Sequence, residues 1–184
     1  MEINVSTLLK KKIKDEVIVF QTDTVYGIGA LLQSEKGVKK IYEIKARESK
    51  KPLAVLCANF EQVQSIVKDF DSIKQYAEDH WPGALTLVLA KKDIVGDFIT
   101  SGFQTVGVRI PKDDIALQIL NHFGPMAVTS LNISSEPSIL KYNDALKFVD
   151  EVDYIVKGKD LNSISSTVYD CINQRVLRQG DIFL

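Results

Sequence analysis

The chain has 184 residues, 45% of them hydrophobic and 26% charged, with 23 basic and 24 acidic side chains for a net charge of −1. A near-neutral balance sets up no global field for nucleic acid or an anionic membrane, so attraction of that kind must be local, and the composition is that of a soluble globular protein. We expect one domain over residues 1–184, burying roughly 70% of the surface its unfolded chain exposes.

The start, MEINVSTLLKKKIKDE, lacks the apolar core and cleavage site of a signal peptide, and no apolar run is long enough for a bilayer. With only Cys57 and Cys171 as thiols, each among apolar neighbours, reduced cysteines and a cytoplasmic location are expected.

VIVF at 17–20 reads as a buried strand that runs into Gln21, Thr22, Asp23 and Thr24 and then Gly27 and Gly29. Polar groups at a strand end face the place where open α/β sheets bind ligands. The glycines make either a turn or a close backbone approach. Residues 34–47 put Val38, Ile41, Tyr42 and Lys45 on one helical face, with Ser34 as N-cap. Lys45, Arg47, Lys50 and Lys51 then crowd the step into PLAVLC at 52–57. Such a cluster either complements the helix dipole or waits for a polyanion.

Asn59 and Gln62 read as a capping box for a helix through Val67. His80 reads as a helix-end residue, and Trp81-Pro82-Gly83 as a turn with an aromatic core anchor. ALTLVLA at 84–90 and TVGVRI at 105–110 are strands, and 114–122 is a helix that the Gly124-Pro125 pair stops. PMAVTS at 125–130 is a strand ending among Thr129, Ser130, Asn132, Ser134 and Ser135, which either cap a turn or offer neutral donors to an anion. Asn143 reads as the cap of DALKFVDE, and VDYIV, STVYD and RVLR as the last strands. Arg178 suits either bidentate anion binding or a structural ion pair.

Late strands without helices between them predict an α/β fold with a twisted mixed β-sheet and flanking helices. Two histidines and two cysteines in no zinc spacing predict no protein-held metal. Walker A, H-E-x-x-H and G-x-S-x-G patterns are all absent.

Seven blocks in order resemble the YrdC/TsaC family of threonylcarbamoyl-AMP synthases: QTDTVYGIG from Gln21, Lys45-x-Arg47 with Lys51-Pro-Leu, Trp81-Pro-Gly-x-Leu-Thr, Val108-Arg-Ile-Pro111, Ser130-x-Asn132, Ser166-Thr-Val, and Leu177-Arg-Gln-Gly180. The resemblance implies a YrdC-like fold with a large concave cavity and a nucleotidyltransferase. That enzyme makes threonylcarbamoyl-AMP and pyrophosphate from L-threonine, bicarbonate and ATP, for threonylcarbamoyladenosine modification of tRNA by a separate transferase complex. Thr24 and Val128 would then meet threonine, with the glycines keeping the cavity floor thin. Lys45, Arg47 and Lys51 would hold the triphosphate. Ser130 and Asn132 would touch the phosphate under attack, while Thr105, Ser138 and Arg178 would line the nucleotide pocket. Mg²⁺ would arrive mainly on ATP. No protein nucleophile is needed.

Three residues depart from the pattern: Gln21 for proline, Ser135 for glycine, and Leu56 where some relatives place histidine. The resemblance also implies the short form, without the extra C-terminal domain of longer relatives. Two other readings are a non-catalytic RNA-binding module, with weak tRNA binding through Lys39, Lys40, Lys45, Arg47, Lys50 and Lys51 and with Tyr42 as a stacking base platform, and a paralogue making another carbamoyl or acyl adenylate.

Overall fold

A computed structural model describes residues 1–46, 48 and 50–184. Its strands are β1 (Glu2–Ile3), β2 (Ile18–Phe20), β3 (Gly27–Leu31), β4 (Ala54–Leu56), β5 (Leu85–Ala90), β6 (Thr105–Arg109), β7 (Met126–Ser130), β8 (Tyr154–Val156), β9 (Thr167–Asp170) and β10 (Arg175–Arg178). They form one sheet in the order β1-β8-β2-β3-β7-β4-β6-β5-β9-β10. Parallel pairs such as β4 with β6 and β5 with β9 alternate with antiparallel ones such as β3 with β7 and β5 with β6. The mixed sheet is as expected. Flanking helices are α1 (Val5–Leu8), α2 (Glu35–Ile44), α3 (Phe60–Ile66), α4 (Lys74–His80), α5 (Asp97–Thr100), α6 (Asp114–Phe123) and α7 (Tyr142–Ala145). Among the described residues no helix is long and apolar enough to cross a membrane.

The period of two decides which side chain faces which layer. Val17, Val19, Val55, Cys57, Leu87, Val106, Val108 and Ala127 enter one core beneath α2 and α3. Their neighbours Ile18, Phe20, Leu56, Met126 and Val128 point the other way and meet Ala116, Ile119 and Leu120 of α6. That second layer covers only the β8-β2-β3-β7 side of its face, reaching as far as Leu56. Across β6, β5, β9 and β10 the same face lines a hollow instead. The cavity is thus the half of a two-faced sheet that α6 is too short to roof.

Caps explain where several helices begin. Ser34 Oγ accepts from Gly37 N and Asp113 caps α6 through Ala116 N. Asn59 accepts from Gln62 N, but the Gln62 side chain bonds Ala58 N and Leu120 O, so only half of the expected box forms. Trp81 is buried with Nε1 donating to Leu85 O, and His80 ends α4, both as expected.

Other expectations need correction. Helix α2 ends at Ile44, not at 47, because Ala46 takes φ +45° and the Lys45 carbonyl accepts from Ser134 N across the fold. Asn143 lies inside α7 rather than capping it. The cap comes from Asp160, whose carboxylate accepts from Tyr142 N, and a 3-10 turn at Leu146–Phe148 follows. Gly27 and Gly29 are strand residues, not a turn: a Cβ on either would come within 2.9 and 2.8 Å of Val128.

Candidate functional site

One row of paired residues crosses the cavity floor: Gly29, Val128, Ala54, Gly107, Val88, Asp170 and Arg175. Small side chains in its middle leave room above the sheet. The cavity measures about 620 Å³, within the range of small-molecule sites.

At one end the chain leaves β2 through a tight turn built on Thr22. Its hydroxyl donates to Val25 O at 2.7 Å, accepts from Thr24 N and Val25 N, and lies 3.0 Å from Thr24 Oγ1. Thr24 lines the cavity although it is 1% exposed. Its hydroxyl accepts from Arg109 Nη1 at 3.0 Å, while Arg109 Nε donates to Gly83 O and Nη2 pairs with Asp23. Burial pulls the Arg109 guanidinium below its usual value and Asp23 opposes that pull. Among the described residues, three of its five N–H donors are engaged.

Across the floor stand Val128 and Ser130, from β7. Ser130 Oγ donates to Asn132 Oδ1 at 2.7 Å, and the Asn132 amide donates to Ile133 O and Glu136 O. The loop is then pinned from behind: Lys45 Nζ, on a residue 1% exposed, donates to Ser130 O at 2.5 Å, Asn132 O at 2.7 Å and Asn132 Oδ1 at 2.9 Å. Lys45 and Asn132 therefore stand behind the wall and only Ser130 is on it. Ser135 takes φ +75°, so the departure from glycine at this turn puts a side chain in the left-handed region.

The far wall is β9 and β10. A register shift between Val176 and Arg178 turns the Arg178 side chain onto the cavity side, as bulges do. Its Nε donates to Ser166 O and its Nη2 to Ser166 Oγ, and burial lowers its pKa. Asp170 is the acid on this wall. Burial raises its pKa, but donors from Asn173 and Ile172 outweigh that and hold it down.

Of the expected site residues, the cavity gathers Thr24, Val128, Ser130, Thr105 and Arg178. Ser138 lies just off the wall, 3.4 Å from the Ser165 hydroxyl that lines it. Lys51 is half-exposed beside Glu48, and its neighbours Pro52 and Leu53 line the cavity. Arg47 lies outside the described residues. Leu56, which departs from the histidine of some relatives, lines the cavity. Gln21 is buried and bonded on both sides of its amide.

Sequence reasoning missed Arg109 as a site residue. A lone cation inside the apolar run 105–110, two places from Gly107 on the same strand face, was the available signal. Among the described residues of the basic cluster, Lys40 pairs with Asp153 at 2.9 Å, Lys45 is buried, and the Tyr42 hydroxyl donates to Lys51 O. Among the described residues no three His, Cys, Asp or Glu side chains group as metal ligands. Cys57 and Cys171 are free thiols, with burial pushing Cys171 up to about 11.

Comparison with known proteins shows the family and the fold. The Sua5/YciO/YrdC family model, described as "Telomere recombination", matches residues 11–180. A threonylcarbamoyl-AMP synthase of Pyrococcus abyssi is 38% identical over 159 residues, 84% of this chain and 47% of the relative. Another from Bacillus subtilis is 36% identical over 176 residues, 92% of this chain and 51% of the relative. The chain thus spans about half the length of these two relatives. A crystal structure of P. abyssi Sua5 complexed with L-threonine superposes with a TM-score of 0.91 at 33% identity, covering 98% of this chain and 57% of that one. With a family model matched along nearly its whole length, the chain belongs to the Sua5/YciO/YrdC family.

Proposed function

We propose that the protein is a threonylcarbamoyl-AMP synthase that joins L-threonine, bicarbonate and ATP. The observation that carries the reading is the shared hollow of about 620 Å³, with Thr24 and Arg109 at one end, Ser130 on the floor, and Thr105 and Arg178 toward the other. The threonine amine and bicarbonate would condense to an N-carboxylate and water. A carbamate oxygen then attacks the α-phosphorus, the bond to the β-phosphate breaks, and pyrophosphate leaves.

An anion approaching a polyanion is repelled, so the site's tasks are neutralisation and alignment. Arg109, beside Thr24, suits the amino-acid carboxylate. Ser130, held by Asn132 and Lys45, would orient the phosphate. Arg178, with Lys51 and Arg47, would carry the rest of the nucleotide's charge. The cavity's acid, Asp170, is already bonded by Asn173 and Ile172, and among the described residues no three His, Cys, Asp or Glu side chains gather beside it. Mg²⁺ would enter as part of the nucleotide and supply charge neutralisation there.

In this reading the threonylcarbamoyl group goes on to tRNA through a separate transferase complex, and the enzyme works in the cytoplasm. The test is incubation with MgATP, threonine and labelled bicarbonate. Labelled threonylcarbamoyl-AMP with equimolar pyrophosphate is expected, and its absence from folded protein refutes the assignment. An unlabelled or threonine-independent adenylate would point to the paralogue instead.

A further inference from the structure

We infer that a clasp outside the cavity, formed by Gln21, Tyr26 and the Gly158–Lys159 backbone, sets the position of the Thr22–Val25 turn and through it the amino-acid end of the site. The inference rests on the proposed function for its kinetic consequences alone.

Both ends of the turn are tied to one residue. The Lys159 N–H donates to Gln21 Oε1 at 2.9 Å, and the Lys159 carbonyl accepts from the Tyr26 hydroxyl at 2.8 Å. Gln21 precedes the turn and Tyr26 follows it. They are 5% and 0% exposed, and neither lines the cavity. Gln21 Nε2 also donates to Asp113 Oδ2, whose other oxygen caps α6. The clasp therefore joins the turn to the helix that roofs half the sheet face.

Gly158 is where the clasp closes over the chain. A Cβ there would collide with the Tyr26 hydroxyl and sit 2.6 Å from Gln21 Oε1. Only a residue without a side chain lets the Gln21 carbonyl oxygen and the Tyr26 hydroxyl both reach Lys159. Inside the turn, Thr24 meets Arg109 through one hydrogen bond at 3.0 Å, and Asp23 pairs with the same guanidinium. A small shift of the turn would move the hydroxyl and the guanidinium apart, although neither is altered. Gln21 and Tyr26 are thus positioning residues, acting through Thr24.

The test uses Gln21→Met and Tyr26→Phe, which keep volume and remove one bond each to Lys159, Gln21→Met removing the one to Asp113 as well. The KM for threonine is expected to rise about tenfold, while kcat and the KM for ATP stay within about twofold. Because both bonds end on Lys159, the double variant should be far less than the product of the singles. Amide hydrogen exchange gives a readout that needs no substrate: residues 22–26 should exchange faster in both variants, with the β4–β6 core unchanged. A uniform acceleration across the chain, or unchanged exchange and threonine KM in folded variants, overturns the inference. Local acceleration in a wild-type background that uses no threonine would leave the clasp standing and sink the functional reading. Tyr26→Phe, which retains the ring packing against Tyr142 at 6.3 Å, is the variant on which folding is safest.

Discussion

Replacing Lys45 with Met tests whether the amine organises the Ser130–Asn132 loop from behind. Methionine fills much of the same buried space, so the change falls mainly on three acceptors: Ser130 O, Asn132 O and Asn132 Oδ1. The last retains the Ser130 hydroxyl as a donor, whereas the two carbonyls lose a charged partner. At about 1–3 kcal/mol for each buried group left unsatisfied, the loss should come to about 2–5 kcal/mol, a fall in Tm of about 5–15 °C for a chain of this size. Urea unfolding by circular dichroism measures the first quantity. The same variant should form adenylate at least 100-fold more slowly at a temperature where it is folded, since Ser130 loses its alignment. A loss below 1 kcal/mol would show that the loop holds itself. Full stability loss with normal turnover would show that Ser130 needs no support to act, and either result breaks the argument.

Four further outcomes are expected. Ser135→Gly should stabilise by about 0.5–1 kcal/mol, relieving a left-handed side chain, and Ser135→Val should cost about 1–2 kcal/mol, both read by urea midpoints. Gly29→Ala should cost about 1–3 kcal/mol by overpacking and weaken threonine binding in calorimetry, because the new methyl pushes on Val128. Arg109→Lys should lose adenylate formation by about 100-fold, since one ammonium cannot hold Gly83, Asp23 and Thr24 as the planar fork does. At Asp153, burial raises the pKa, but Val17 N and Lys40 outweigh it and hold the carboxylate below its usual value. A group with a lowered folded pKa gives stability above the unfolded value and loses it as pH falls through the folded one. The stability gap between wild type and Asp153→Asn should therefore be widest near neutrality and shrink below about pH 4. A gap that grows on acidification contradicts the sign.

How much of this was legible in the sequence varies with the physics involved. Short apolar runs located the eight strands read from pattern, and Ser34 and Asn59 located two helix starts, because these signals are local. Strand β3 escaped notice because Gly27 and Gly29 serve the packing of Val128 on another strand, which no local pattern records. Lys45 read as one of a cluster of cations for the helix dipole or a polyanion, since only the folded loop at 130–134 reveals three acceptors meeting its amine. Asn143 failed as a cap because Asp160 competes for the same end of α7 from a distant part of the chain. The resemblance carried by the seven blocks implied one cavity, but nothing local says that Asn132 and Lys45 stand behind its wall.

The incomplete roof over the sheet also limits how the protein can change. Along β6, Thr105, Gly107 and Arg109 touch the cavity while Val106 and Val108 hold the opposite core. No position on that strand is idle, so altering the guest's fit there disturbs folding next door. The turn at 171–174 touches the cavity through Asn173 and is otherwise exposed or half-exposed. New substrate preferences are cheapest to acquire at such a lip, where little beyond the donors to Asp170 ties the turn to the interior.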